Sequence, residues 1–334
     1  MRVAINGLGR IGRAAFKIIP ENFGLELVAV NDLAPLDTLI YLLKYDTVYG
    51  RYAKDIAAEE GGLLVEGRKY AFFQESDPVK LPWQDLDVDM VFECTGAFID
   101  REGLEKHLDA GAKRVLLSAP AKDADIPTVV HGVNIPDGDT EIISCGSCTT
   151  NCITPIVEIM GRRIGILKAI MSTVHAYTAT QGIVDTCNKK LRRGRAGAAN
   201  LVPTSTGAAV ATTKVLPEYE GIFNGMAIRA PIPVGSVADI VFLTKKNITR
   251  EEVNAILQEE SETDRYCNVL AVSDEPLVSS DIIRDPHAAV VNLDLTQVVA
   301  NDLVKVVAWY DNEWGYVNQM VREALRLSYK GNDL

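Results

Sequence analysis

Histidine is scarce in this chain of 334 residues, with four, and cysteine is little commoner, with six. So few cysteines exclude a disulfide scaffold, and His107, His131, His175 and His287 are scattered without the paired spacing of a metal site. No stretch approaches the roughly 18 apolar residues of a membrane span. Met1-Arg2 runs straight into Val3-Ala4-Ile5 without the pattern of a secretory leader, so the expected compartment is the cytoplasm and no membrane partner is expected. Basic charge is in deficit: 34 Lys and Arg against 45 Asp and Glu give a formal net charge of −11. That balance argues against a general binder of nucleic acid or anionic lipid. The one basic cluster, Lys189-Lys190-Leu191-Arg192-Arg193-Gly194-Arg195, therefore needs a local explanation. What is present, 47% hydrophobic and 24% charged residues, suits a globular protein with length for about two domains.

Arg2-Val3-Ala4-Ile5-Asn6 reads as a short buried strand. It leads into Gly7-Leu8-Gly9-Arg10-Ile11-Gly12, after which Ala14, Ala15, Ile18 and Ile19 fall at helical spacing. In a strand–turn–helix of this kind the first glycine allows the tight turn and the second lets backbone approach a pyrophosphate. The third lets the helix sit close to the strand, with its free N–H groups toward the anion. A second strand, Leu25 to Val30, ends in Asn31-Asp32, some 20 residues after the last glycine, where a carboxylate accepts from ribose hydroxyls and repels a 2′-phosphate. NAD is therefore favoured over NADP.

Further buried strands are expected at Asp89–Glu93, Arg114–Ser118 and Glu141–Ser144, with an amphipathic helix over Arg101–Ala110. Thr95-Gly96 and Ser118 then lie just past strand C-termini, where an open α/β sheet forms its ligand crevice. Beyond residue 148 the texture changes. Leu167–Val174, Gly225–Ile232, Ser236–Leu243, Ala288–Leu293 and Leu303–Trp309 read as longer strands, with Arg250–Glu260 the one strong helix among them. The expected fold is a Rossmann-type, doubly wound α/β domain over 1–147, completed by a C-terminal helix over 313–334. An α+β catalytic domain with a mostly antiparallel sheet takes 148–312.

Three cysteines crowd into Cys145, Cys148 and Cys152, between a strand and the helical pattern of Ile153, Ile156, Val157 and Met160. Ser147 is a plausible N-cap. Cys148 then sits in the first turn, where free N–H groups and the helix dipole favour a thiolate and lower its pKa. The run alone leaves open a Cys-x-x-Cys redox pair or inert buried thiols. His175 falls opposite Val174 at the end of a strand, a suitable general base if it meets the thiol, although a lone histidine is more often structural. The loop from Tyr177 through the basic cluster to Ala209 offers hydroxyls, N–H groups and arginines, as an anion pocket requires, or it is simply a solvated loop. Arg229 is an isolated cation in an apolar strand and needs an anionic partner.

Together these segments resemble the phosphorylating, NAD-linked glyceraldehyde-3-phosphate dehydrogenases. The resemblance runs over nearly the whole chain, through Ile5–Gly12, Asn31-Asp32, Leu43-Lys44-Tyr45-Asp46, Ser147–Cys152, Thr173–Thr178, Pro203–Ala209 and Trp309–Glu313. It implies a small-molecule aldehyde and inorganic phosphate as substrates, NAD as cofactor and a homotetramer. Cys148 would attack the aldehyde, with His175 as base, and phosphate would cleave the resulting thioester. The substrate's phosphate would meet Thr178, Thr180 and Arg229. Attacking phosphate would meet Ser147, Thr149, Thr206 and Gly207, with Arg193 close by. Gly7, Gly9, Arg10, Ile11, Gly12, Asn31, Asp32, Thr95, Gly96 and Ser118 would hold the cofactor, with Asn312 orienting the nicotinamide amide and Tyr316 packed near that ring.

Some positions depart from the family's pattern. Cys145-Gly146 stands where many members have Asn-Ala, adding a second thiol that could form a reversible disulfide with Cys148. Thr186-Cys187 resembles plastid members that accept NADP, against which Asp32-Leu33 speaks, so NAD with some tolerance of NADP is expected. Two alternatives carry the same motifs, an erythrose-4-phosphate dehydrogenase and a non-catalytic NAD-binding paralogue. Tyr177-Thr178 and Ser205-Thr206-Gly207 count against the first, and the retained nucleophile and base against the second.

Overall fold

Val3, Ala4 and Ile5 have no exposed surface, as a strand buried on both faces requires, and the Arg2–Asn6 strand is central to an eight-stranded sheet. The computed structural model describes residues 1–136 and 140–330. It divides into one unit of Met1–Val129, Ile135–Gly146 and the end of the last helix from Met320, and a second of Val130–Asn134 and Ser147–Gln319.

In the first unit the strand order is Ile142–Ser144, Arg114–Leu117, Met90–Glu93, Arg2–Asn6, Glu26–Asn31, Arg68–Phe73, Gly62–Val65 and Ile56–Glu59. The strands up to Arg68–Phe73 run parallel and the last two add on antiparallel. Asn6, Asn31 and Glu93 therefore end neighbouring strands on one edge of the sheet. The strands between 56 and 73 and the Leu36–Lys44 helix were not evident in the sequence. Ile56–Glu59 buries only its first residue, and its Ala-Ala pair carries little strand preference.

In the second unit the order is Val202–Ser205, Phe223–Ala230, Ile166–Ala176, Ser236–Thr244, Leu303–Tyr310, Ala289–Asn292 and Leu270–Ser273, with Gln297–Val299 also paired to Leu303–Tyr310. Most pairs are antiparallel, but Ile166–Ala176 runs parallel to Phe223–Ala230, and Leu270–Ser273 parallel to Ala289–Asn292. The Cys148–Arg163 helix buries Ile153, Ile156, Val157 and Met160 in one core with Ile240, Phe242, Val304 and Val306 of the sheet. Each such side chain contributes about 1.5–3 kcal/mol. Arg250–Ser261 is helical as expected, but so is Ala208–Val215, which begins at the end of the segment read as loop and runs beyond it; its alanine and β-branched residues give no strong helical periodicity. The sheet's other face leaves Leu167, Ile170, Val174, Met226 and Leu303 exposed. The closing helix spans Trp314–Lys330, and residues 331–334 of the expected segment lie outside the described residues.

Candidate active site

Cys148 is the first residue of its helix because Ser147, in extended conformation, accepts the Thr150 N–H on its Oγ at 3.1 Å. The helix lies on the inner face of the second unit's sheet. Alternation along Ile166–Ala176 leaves Val174 38% exposed and turns His175 inward at 4%. His175 Nε2 stands 3.3 Å from Cys148 Sγ. Arg229 is the register partner of His175 on the parallel neighbour strand, so both side chains share that face. Its Nη1 lies 2.6 Å from His175 Nδ1 and donates to the Ala176 carbonyl at 2.9 Å. Tyr310, which the sequence did not single out, lies with its ring centroid 5.9 Å from that of His175 in a T-shaped arrangement, and its buried hydroxyl bonds Thr149 Oγ1 at 2.9 Å and Thr173 Oγ1 at 2.8 Å. An inward aromatic on a strand reads as core, so no sequence signal marks it.

The resting electrostatics reverse one expectation. Burial pushes the Cys148 thiol above its ordinary value, and the opposing Arg229 charge and Thr149 hydrogen bonds do not overcome it. The helix start therefore does not by itself yield a lowered pKa. Burial, then the charges of Arg229 and Arg193, pull His175 down to about 3 against the Ala176 carbonyl, so the imidazole is neutral. A neutral imidazole beside a thiol is a base–nucleophile pair, with the proton able to pass from Sγ to Nε2. Cys145 is buried at 3%, and burial with the Glu323 and Cys94 charges holds its thiol well above the ordinary range. Both cysteines are free thiols.

Hydroxyls and cations follow His175 in the same unit. Thr178 and Thr180 face each other at 2.9 Å on an exposed loop. Arg193 is held by Thr204 Oγ1 at 2.9 Å and the Ser205 carbonyl at 3.3 Å. Thr206 and Gly207 stand at the start of the Ala208–Val215 helix, where Thr206 Oγ1 accepts the Ala208 N–H at 3.1 Å. Thr149 is buried, and its Oγ1 lies 2.9 Å from the Tyr310 hydroxyl. Asn312 is buried, and its Oδ1 accepts from Ser236 Oγ at 2.9 Å, while Ser236 Oγ accepts the Ala176 N–H at 3.1 Å. That chain fixes the Asn312 amide with its NH₂ group left to donate. Tyr316 is buried at 4%.

The first unit holds a crevice of about 440 Å³ lined by Gly7, Gly9, Asn31, Asp32, Leu33 and Thr95, with Glu75, Ser76, Ala97 and Phe98 that the sequence did not single out. Glu75 and Ser76 follow the Arg68–Phe73 strand, so missing that strand hid them. The residues fit a dinucleotide. Gly7 has φ +93°, a Cβ on Gly12 would fall 1.8 Å from the Gly7 carbonyl oxygen, and Gly9 opens onto free space. Arg10 begins the helix behind them, with Ile11 and Gly12 in its first turn, and pairs with Asp46. The Asp32 carboxylate is set by the Leu8 and Ala34 N–H groups at 2.6 and 2.8 Å. Gly96 follows Thr95 with φ +71°, and Ser118 bonds the Cys94 thiol.

Beneath the crevice floor lies a buried relay. Trp83 Nε1–H donates to His107 Nδ1 at 3.0 Å, which puts the His107 proton on Nε2, 3.1 Å from Glu93 Oε2. Asn6 Nδ2 donates to the same oxygen at 2.6 Å. Glu93 Oε1 accepts the Thr95 N–H at 2.7 Å and the Thr95 hydroxyl. One fully buried carboxylate thus ties together the ends of two strands and the loop beyond Glu93.

The family model described as glyceraldehyde 3-phosphate dehydrogenase, NAD binding domain, matches residues 1–101, and the one described as the C-terminal domain matches 147–312. A glyceraldehyde-3-phosphate dehydrogenase of Thermotoga maritima is 49% identical over 324 residues, covering 96% of this chain and 97% of the relative. Those of Geobacillus stearothermophilus and Zymomonas mobilis are 45% and 44% identical over 334 and 333 residues. The alignments cover 99% of both chains in the first case and 98% of both in the second.

Proposed function

This chain belongs to the glyceraldehyde 3-phosphate dehydrogenase family, and from that premise we propose which of its residues perform the family's reaction. The protein is an NAD-dependent oxidoreductase that oxidises glyceraldehyde 3-phosphate, with inorganic phosphate, to 1,3-bisphosphoglycerate, reversibly. The observation that carries the residue assignment is the 3.3 Å contact of Cys148 Sγ with His175 Nε2, in a site whose only charged neighbours are arginines among the described residues.

His175 Nε2 takes the Cys148 proton as Sγ bonds to the aldehyde carbon, giving a thiohemiacetal. As imidazolium, His175 steadies the developing oxyanion, and as base it removes the hydroxyl proton when the thioester forms. NAD, held by the glycine turn, Asn31, Asp32 and the Thr95-Gly96 loop, supplies the hydride acceptor when bound. Asn312 offers its NH₂ group to the nicotinamide amide, and Tyr316 packs near that ring. Arg229, Thr178 and Thr180 hold the substrate's phosphate. Ser147, Thr149, Thr206 and Gly207, with Arg193 close by, receive the phosphate that cleaves the thioester.

NADH formation with glyceraldehyde 3-phosphate tests this reading: sustained turnover requires inorganic phosphate, and a single burst in its presence contradicts it. With NADP the same assay gives measurable but lower kcat/KM, as the Asp32 carboxylate requires; equal efficiency with both cofactors contradicts that preference. The exposed apolar face at Leu167, Ile170, Val174, Met226 and Leu303 suits burial between copies in a homotetramer, to be checked by sedimentation mass. Six free thiols suit the reducing cytoplasm, and fractionation of cells checks that placement.

A further inference from the structure

Ser236 has no exposed surface, so its hydroxyl acts only on its neighbours. Its Oγ accepts the Ala176 N–H at 3.1 Å, one residue beyond His175, and donates to Asn312 Oδ1 at 2.9 Å. The fold brings the three together. Ser236 opens the Ser236–Thr244 strand as the register partner of Tyr310, which brings Asn312, two residues beyond Tyr310, within reach of its hydroxyl. Gly235, just before it, has φ +91°, and a Cβ there would fall 2.0 Å from the Ser279 carbonyl oxygen, so the turn that delivers Ser236 requires glycine. Asp311 fixes the backbone on either side of Asn312. Its Oδ1 accepts the Glu313 and Trp314 N–H groups at 2.9 and 2.8 Å, and its Oδ2 accepts the Arg284 N–H at 2.8 Å.

Counting hydrogens sets the direction of the Asn312 amide. A backbone N–H only donates, so Ala176 occupies a lone pair of Ser236 Oγ, and the hydroxyl has one hydrogen to give. Among the described residues Asn312 Oδ1 is its acceptor, and no other is present. An amide turned the other way would offer NH₂ to Oγ and leave that hydroxyl hydrogen buried without an acceptor, a state disfavoured by about tenfold or more. The Asn312 NH₂ group makes no hydrogen bond among the described residues, and Asn312, unlike Ser236, keeps some exposed surface. The chain therefore ends in a donor aimed away from the protein interior.

We propose that Ser236 is a positioning residue for the cofactor's reactive ring: its hydroxyl locks Asn312 as a hydrogen-bond donor, which selects the carbonyl oxygen of the nicotinamide amide, and ties that donor to the strand carrying His175. The inference rests on the reading of Asn312 as the residue that meets the nicotinamide amide. Ser236 touches no ligand itself and acts through Asn312. A donor locked in advance needs no reorganisation when the ring arrives, so less of the binding energy is lost to ordering. Because the same oxygen holds the backbone beside His175, the ring is placed relative to the strand that carries the base, which is the alignment that hydride transfer needs.

The test is isothermal titration with three ligands: NAD, ADP-ribose, which lacks the nicotinamide, and 3-acetylpyridine adenine dinucleotide, which keeps the ring carbonyl but has no amide NH₂. Ser236→Ala is expected to weaken NAD binding by about three- to tenfold, the value of one hydrogen bond, and to leave ADP-ribose within about twofold. In an Asn312→Ala background the same change is expected to have no further effect on NAD, because Ser236 acts through Asn312. Ser236→Cys, similar in shape with a weak S–H donor, is expected to shift NAD in the same direction and serves if the alanine variant folds poorly. ADP-ribose weakened as much as NAD, or full additivity with Asn312→Ala, overturns the positioning role, and the Asn312 reading stands if Asn312→Ala itself weakens NAD alone. An Asn312→Ala variant that binds NAD as the wild type does overturns both. Asn312→Ala is also expected to weaken the acetylpyridine analogue as much as NAD. Weakening of NAD without the analogue makes Asn312 an acceptor and contradicts the locked orientation.

Discussion

At the scale of single residues, the site depends on two neutral groups made reactive by their positions. Cys148 and His175 are both uncharged at rest, because burial outweighs the helix start for one and adds to arginine charge for the other. Catalysis then needs a proton to pass between two atoms that already stand 3.3 Å apart. Replacing His175 by Asn keeps a polar side chain of similar reach but no comparable base, so kcat falls by about 10²–10⁴-fold. The Kd for NAD, measured by fluorescence titration, stays within about twofold, since general-base loss acts on the chemical step. Part of this was readable beforehand. Ser147 before a helical pattern located the first turn, alternation at Val174-His175 gave the inward histidine, and Arg229 stood out as an unaccompanied cation. Tyr310 and the direction of the Cys148 shift were not readable, because each depends on what packs around it and not on its own segment.

At the scale of elements, strand order sets which residues meet. Glu93, Asn6 and His107 lie far apart in sequence, and the relay exists because Arg2–Asn6 and Met90–Glu93 are parallel neighbours with the Arg101–Asp109 helix alongside. Nothing in any one of these segments announces it. Glu93→Gln keeps the shape but turns one accepting oxygen into a donor, so the N–H of His107 or the group of Thr95 loses its acceptor. The loop Thr95-Gly96 loosens, and the Kd for NAD rises by about tenfold, the loss of one charge-assisted hydrogen bond. The NADH burst rate at saturating NAD is unchanged, which separates this effect from damage to Cys148 and His175. Strands such as Val3-Ala4-Ile5 were legible because unbroken burial leaves an unbroken apolar run, whereas Ile56–Glu59, with exposed residues after its first, left none.

At the scale of the whole molecule, stability and chemistry depend on different parts of the chain. Glu260 joins the Cys148–Arg163 and Arg250–Ser261 helices by accepting from Arg162 and Arg163, and those hydrogen bonds hold its carboxyl below the ordinary 4.5. A depressed carboxyl stabilises the folded state above its unfolded value and loses that contribution as pH falls through the folded value. Both arginines are partly exposed, so Glu260→Gln costs about 1–2 kcal/mol at pH 7 by urea unfolding. The difference from wild type shrinks as pH falls below the ordinary 4.5 and through the lowered folded value. Activity at pH 7 is unaffected, because the network lies on the solvent side of the core, away from Cys148.

The most direct measurement of the central claim is the mass of the protein and of its proteolytic peptides after mixing with glyceraldehyde 3-phosphate and NAD in the absence of inorganic phosphate. Cys148 as the thioester-forming nucleophile predicts one NADH per chain and a 3-phosphoglyceroyl adduct on the peptide carrying Cys148, released when phosphate is added. NADH without an adduct, or an adduct on Cys145 or Cys152, contradicts it.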